Sequence, residues 1–203
     1  MKKYIITISR EFGCGAREIS RQLASELCIT LYDKELVSMA AQRSGLNSDI
    51  LKEADEMMDS RINKLFKEFV YGSSTKFYSE QAILAQVQVI RDLADKKDSC
   101  IMLGRCSDYI LREYPNVINI FLYAPLEARI SHISDAYQLD RVSAEKMIKR
   151  VDKQRHNYYK YVTGYNRGDR EEKHLMIDVA KYGVKGTVKL ISEAVSILFE
   201  DKD

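Results

Sequence analysis

Five short apolar runs punctuate the chain, at residues 4–8, 29–32, 100–103, 117–123 and 174–177. They are nearly continuous rather than alternating, the pattern of parallel strands buried on both faces. Between them, apolar residues recur at helical spacing. Ile19, Leu23 and Leu27 fall four apart within 16–27, and Ile83, Val87, Ile90 and Ala94 form a stripe within 80–95. Leu190, Ile191, Ala194, Val195 and Leu198 do the same within 187–198. This alternation of strand and helix predicts an α/β fold, a three-layer αβα domain of about five parallel strands. Two stretches exceed the simple alternation. Residues 34–79 are about three helices' worth of chain, with breaks at Gly45 and "YGSST", and 126–173 are helical, charged and tyrosine-rich. In open α/β sheets, inserts off the strand ends build the ligand sites. With no internal repeat and no linker, the expectation is one domain over 1–203, with a helical insert at about 34–79 and a lid at about 135–170.

Composition narrows this only slightly. A chain of 203 residues, 45% apolar and 31% charged, can bury a full core. No apolar run approaches the roughly 20 residues of a membrane span, and the apolar run in "MKKYIITIS" falls short of a signal-peptide core, so a cytoplasmic location is expected. Cys14, Cys28, Cys100 and Cys106 form no C-x-x-C pair and are expected as free thiols. The histidines, His132, His156 and His174, show no spacing suited to a metal or a triad. A formal charge of +2 gives no global pull toward nucleic acid or membrane, so anion affinity must come from local clusters.

The first such cluster is "ISREFGCGAREIS", residues 8–20. It lacks the third glycine of the G-x-G-x-x-G dinucleotide pattern, because residue 18 is Glu. Against G-x-x-x-x-G-K-[ST] it puts Arg10 at the first glycine, Ala16 at the lysine and Arg17 at the hydroxyl residue. Main-chain amides in a glycine turn at a helix N-terminus bind phosphate without a lysine, and Arg17 offers a cation one residue late. A plain strand-to-helix turn at Gly13 and Gly15 remains the alternative.

Strand two ends in "LYDKELV", where Asp33 can order Mg²⁺ waters or an acceptor hydroxyl, or cap the next helix. Strand three ends in "LGRCSD", where Arg105 can grip phosphate with two parallel hydrogen bonds or form a surface ion pair. Lys149, Arg150, Lys153 and Arg155 crowd around Asp152, either a solvated helix face or a lid that brings cations onto a transferring group. Tyr158, Tyr159, Tyr161 and Tyr165 can stack on a base or pack the helix against the body.

In this order, the glycine loop, "YD", "GR", "FLYAPLEAR", "D-x-x-R" and "LMIDVAKYG" resemble cytidylate kinase and, more closely, the cytidylate kinase-like family. The resemblance implies the P-loop nucleoside monophosphate kinase fold and phosphoryl transfer from ATP with Mg²⁺. It implies that Gly13, Cys14, Gly15, Ala16 and Arg17 cradle the donor phosphates. Asp33, Arg105 and Asp152 are assigned to the acceptor, and Arg17, Arg150 and Arg155 to catalysis, with Asp152 and Arg155 matching the lid pattern. No metal ligand is assigned. The chain departs from cytidylate kinases in lacking the loop lysine, in Lys34-Glu35 after "YD", and in Cys106 where a second aspartate helps recognise the base. The expected partners are ATP and a small phosphorylated or hydroxylated acceptor such as a nucleoside monophosphate. Two functions stay in view: a phosphotransferase, and a nucleotide-binding sensor with the kinase fold and little transfer. For the sensor, Ala16 and Cys106 are the features, and Ile62, Leu65, Phe66 and Phe69 serve either core or dimer packing or a partner surface.

Overall fold

The computed structural model describes residues 2–43 and 80–199. Gly45, residues 71–75 and the apolar positions from Ile62 to Phe69 lie outside these residues. Five strands form one parallel sheet: β1 (Ile5–Arg10), β2 (Thr30–Tyr32), β3 (Cys100–Leu103), β4 (Val117–Tyr123) and β5 (Leu175–Asp178), in the order β2-β3-β1-β4-β5. The described helices are α1 (Ala16–Glu26), α2 (Glu35–Arg43), α3 (Glu80–Ala94), α4 (Ser107–Ile110), α5 (Leu126–Tyr137), α6 (Arg141–Thr163) and α7 (Val179–Phe199). The αβα layering expected from the apolar runs is what forms.

The three central strands, β1, β3 and β4, are mostly apolar because each of their faces meets a helical layer. Ile6, Ile8, Ile101, Leu103, Ile118, Ile120 and Leu122 pack with Ile19 and Leu23 of α1 and Val188, Ile191 and Val195 of α7. On the other face, Ile5, Cys100, Met102 and Val117 meet Leu36 of α2, Val89, Ile90 and Leu93 of α3, and Tyr159 of α6. Helices α5 and α6 close a smaller core around Ile130, Ile133, Met147, Ile148 and Val151, with Phe12 packed against it.

Two helical stripes differ from the sequence reading. In α3 the buried line runs through Ala85, Gln86, Val89, Ile90 and Leu93, so Ile83 and Val87 sit at its margin. The last helix begins at Val179, not near 187, and bends at Gly183 (φ 65°). Beyond the bend, Val188, Ile191 and Val195 form the buried face, and Leu190 and Leu198 fall outside it and are exposed. Among the tyrosines, Tyr159 is buried against the body and donates to Asp108, whereas Tyr161 is exposed.

The topology fixes where a ligand can bind. From β1 the chain visits β2 and β3 on one side of the sheet, then β4 and β5 on the other. The crevice at the C-terminal end of β1 is therefore the switch point at which open α/β sheets take ligands. The glycine loop, residues 11–15, leaves the sheet there.

Candidate functional site

The loop is a left-handed turn at two places. Gly13 (φ 86°) and Gly15 (φ 79°) adopt backbone angles that side chains disfavour, and Gly15 serves as N-cap of α1. A Cβ on Gly13 would stand 2.9 Å from Ile133 Cγ1 and 3.2 Å from Arg129 Cβ, so this glycine lets α5 pack onto the loop. A Cβ on Gly15 would meet nothing within 4 Å. The second glycine thus opens onto space at a helix N-terminus, the arrangement that receives an anion.

The leading edge of the loop is pinned by ion pairs. Glu11 donates its N–H to the Leu122 carbonyl (3.0 Å), and its carboxylate accepts from Ala124 N–H (3.2 Å) and lies 3.3 Å from Arg129 Nε. Asp152 accepts from the Phe12 N–H (2.9 Å), from Arg129 Nη1 (2.5 Å) and from Arg167 Nη2 (3.0 Å). Arg129, from "PLEAR", also donates to the Phe12 carbonyl (3.3 Å), and Arg167 Nη1 donates to the Arg10 carbonyl (2.8 Å). All the hydrogen bonds of Asp152 among the described residues therefore run to the loop and its flanking arginines. Its carboxylate holds the loop.

Above the loop the arginines gather. Arg17 donates through Nε to Asp33 (2.9 Å), which joins the first turn of α1 to the end of β2. Asp33 thus pairs with a cation across the crevice, and its own N–H donates to Glu35 Oε2 (3.0 Å). Arg105 follows β3 on an unusual backbone: Gly104, Arg105 and Cys106 all have positive φ, at 79°, 61° and 57°. Such angles cost a non-glycine residue about 1–2 kcal/mol and cluster at functional sites. Here they turn the chain sharply, start α4 at Ser107, and leave the Arg105 carbonyl to accept from Gln86 Nε2 (3.1 Å). Burial lowers the Arg105 pKa, against the pull of Tyr158 and Asp33.

Arg155 comes down from α6 over the ring of Phe12, 5.3 Å from its centroid. Its Nη1 is buried and has no hydrogen-bond partner. Burial, then the like charges of Arg10 and Arg167, push its pKa well below the ordinary arginine value, only partly offset by Asp152. Arg150 lies on the exposed side of α6, because its five-residue offset turns it by about 140° from Arg155. Cys14, buried under the loop, has its thiol pKa raised by burial.

The arginines at 10, 129 and 167 were not singled out from the sequence. Arg10 stands where a glycine opens the usual loop pattern, and that substitution was the available signal. Arg129 sits in the quoted "FLYAPLEAR" stretch, and Arg167 lies in the charged, tyrosine-rich segment 126–173. Six guanidinium groups (Arg10, Arg17, Arg105, Arg129, Arg155 and Arg167) here stand among three carboxylates, Glu11, Asp33 and Asp152. Such a surplus of half-buried positive charge raises the local potential for an anion. Beside Arg167, a groove of about 410 Å³ runs along Phe121, Tyr123, His156 and Met176.

A second polar cluster lies beneath this one. Asp108 accepts from Ser9 Oγ (3.1 Å), Tyr159 Oη (3.3 Å) and the buried ammonium of Lys173, while its other oxygen has no partner. Nearby, Asn119 accepts from Thr7 Oγ1 (2.6 Å), and its N–H donates to His174 Nδ1 (3.0 Å). Among the described residues no group of three His, Cys, Asp or Glu side chains forms a metal cage, and no helix is long and apolar enough to cross a membrane.

Known proteins share this architecture. A crystal structure of a protein from Eubacterium ventriosum ATCC 27560 superposes with a TM-score of 0.75 at 24% identity, covering 97% of this chain and 99% of that one. Shikimate kinase from Acinetobacter baumannii, in complex with shikimate, superposes with a TM-score of 0.52 at 15% identity, covering 98% and 96%. Both likenesses are of fold, and the second is to a P-loop kinase. In sequence, the chain is 24% identical to cytidylate kinase from Saccharolobus islandicus, over 97% of this chain and 93% of that one. It is 25% identical to cytidylate kinase from Methanocaldococcus jannaschii, over 96% and 98%. The family model described as "Cytidylate kinase-like family" matches residues 5–181, from the first strand through the start of the last helix. The chain belongs to the cytidylate kinase-like family.

Proposed function

We propose that the protein transfers the γ-phosphoryl group of ATP to a small phosphorylated acceptor of the nucleoside monophosphate type. The observation that carries this reading is the buried, unpartnered Nη1 of Arg155, set among other arginines above a glycine loop at the sheet's switch point. Loop amides at residues 13–17 and the α1 N-terminus hold the donor phosphates. Arg105 holds the acceptor phosphate from the end of β3. In the transfer, the bond from the γ-phosphorus to its bridging oxygen breaks, ADP leaves with that electron pair, and a bond forms to an acceptor oxygen. Charge spreads over the equatorial oxygens, and catalysis lies in positioning and neutralising it. Arg155 is the lid cation that meets this charge. Mg²⁺ supplies further neutralisation when bound; it needs phosphate oxygens, waters and at most one or two carboxylates, and Asp33 can order those waters.

Support for a monophosphate acceptor comes from the names of the cytidylate kinase relatives and from Arg105. Cys106 is buried and cannot present the second carboxylate of the base-recognition pattern, so cytosine is not singled out here. The test is an ADP-release screen over the nucleoside monophosphates, with wild type and Arg105→Ala. Turnover on one of them, falling at least ~100-fold in Arg105→Ala, is expected. Binding of MgATP with no turnover on any acceptor would make the protein a nucleotide sensor instead.

A further inference from the structure

Ala16 leaves the α1 end of the loop without the ammonium that such loops carry, and Arg17 is turned onto Asp33. Arg10 fills a different position. It is the last residue of β1, and its guanidinium reaches across to β3, where a Cβ at Gly104 would overlap it. The chain can tolerate this only because residue 104 has no side chain. Among the described residues, the Arg10 guanidinium makes no hydrogen bond or ion pair, although the Asp33 carboxylate is close enough to attract it. Its cationic neighbours divide between two groups. Arg105 follows β3, while Arg17 stands in the first turn of α1 beside the loop, and Arg155 and Arg167 come from α6 and the segment after it. Arg10 thus lies between the residue assigned to the acceptor and those around the donor loop.

We propose that Arg10 supplies, from the end of β1, the cation that the loop lacks at Ala16, and that it contacts the phosphoryl group passing from donor to acceptor. This rests on the phosphotransferase reading above. The guanidinium's planar fork suits three oxygens in motion better than a point charge does. Half-buried next to like charges and without a hydrogen-bonded counterion, it destabilises the empty site and is relieved when phosphate enters.

The full-length chain is compared as wild type, Arg10→Met and Arg10→Lys, with MgATP and MgADP titrated by calorimetry and the empty proteins melted. Arg10→Met is expected to bind MgATP roughly 10- to 100-fold more weakly, the worth of a charged hydrogen bond. MgADP, which lacks the transferred group, should change much less, and Arg10→Lys should recover part of the loss. The empty Arg10→Met protein should melt no lower than wild type, since one of several mutually repelling cations is gone. Wild-type MgATP affinity in Arg10→Met overturns the proposal. Equal weakening of MgATP and MgADP, or failure of both variants to fold, overturns it as well, because either marks a structural role. A wild type that takes up no MgATP brings down the phosphotransferase reading first, before any variant is compared.

Discussion

Gly13 and Gly15 share a backbone handedness and differ in what lies beyond the missing Cβ. Gly13→Ala drives a methyl into Ile133 and Arg129, so it should destabilise the fold by about 2–4 kcal/mol, from strain plus overpacking, in chemical denaturation. Gly15→Ala carries the strain alone, about 1–2 kcal/mol. Its methyl projects into open space at the helix N-terminus, and MgATP affinity should fall more than stability does. The two glycines were legible in the sequence, but their division of labour was not, because it depends on α5, which is contributed more than a hundred residues later. Arg105 was legible from its place after a strand-ending glycine. The three left-handed residues that aim it were not, since Arg and Cys carry no propensity for positive φ. Arg10 was hidden because it replaces a pattern residue instead of matching one.

Helix α6 shows how one element serves both core and site. It starts at Asp140, whose carboxylate accepts from the Ser143 N–H (3.0 Å) and the Ser143 hydroxyl (2.5 Å), and these bonds hold its pKa below the ordinary carboxylate range. A lowered folded-state pKa means stability that is complete above the unfolded value and lost as pH falls through the folded one. The melting temperature of Asp140→Ala should therefore lie below wild type at neutral pH, with the gap closing as acid is added below pH ~4. One turn after Arg155, Tyr159 reaches Asp108 and ties α6 to β1, α4 and the approach to β5. Lys173→Met would leave Asp108 buried, charged and uncompensated, at a cost of about 3–5 kcal/mol in urea unfolding. The double variant Lys173→Met, Asp108→Leu should recover much of that loss. Element types followed from the apolar runs, because the strands are buried on both faces. The helical stripes were misplaced at their margins, where apolar residues such as Ile83, Leu190 and Leu198 lie one step off the buried face.

At the scale of the molecule, strand order brings the ends of β1, β2 and β3 to one crevice, where α6 also packs. Residues from 10 to 167 contribute to it, and no local pattern reports that they meet. The sequence made the αβα class and the separate candidates readable; the concentration of positive charge emerges only on folding. That surplus predicts strong ligand-linked stability. MgATP at a hundredfold excess over its dissociation constant should stabilise the fold by about 2.7 kcal/mol, raising the melting temperature by roughly 5–10 °C. Salt should weaken the effect less than expected for surface charges, since the arginines are enclosed.

The most direct measurement is a crystal structure of the wild-type protein grown with Mg²⁺ and a non-hydrolysable ATP analogue. The triphosphate should lie across the amides of residues 13–17, with an oxygen within hydrogen-bonding distance of Arg155 Nη1. A nucleotide bound elsewhere, with no phosphate over Gly15, would contradict the account.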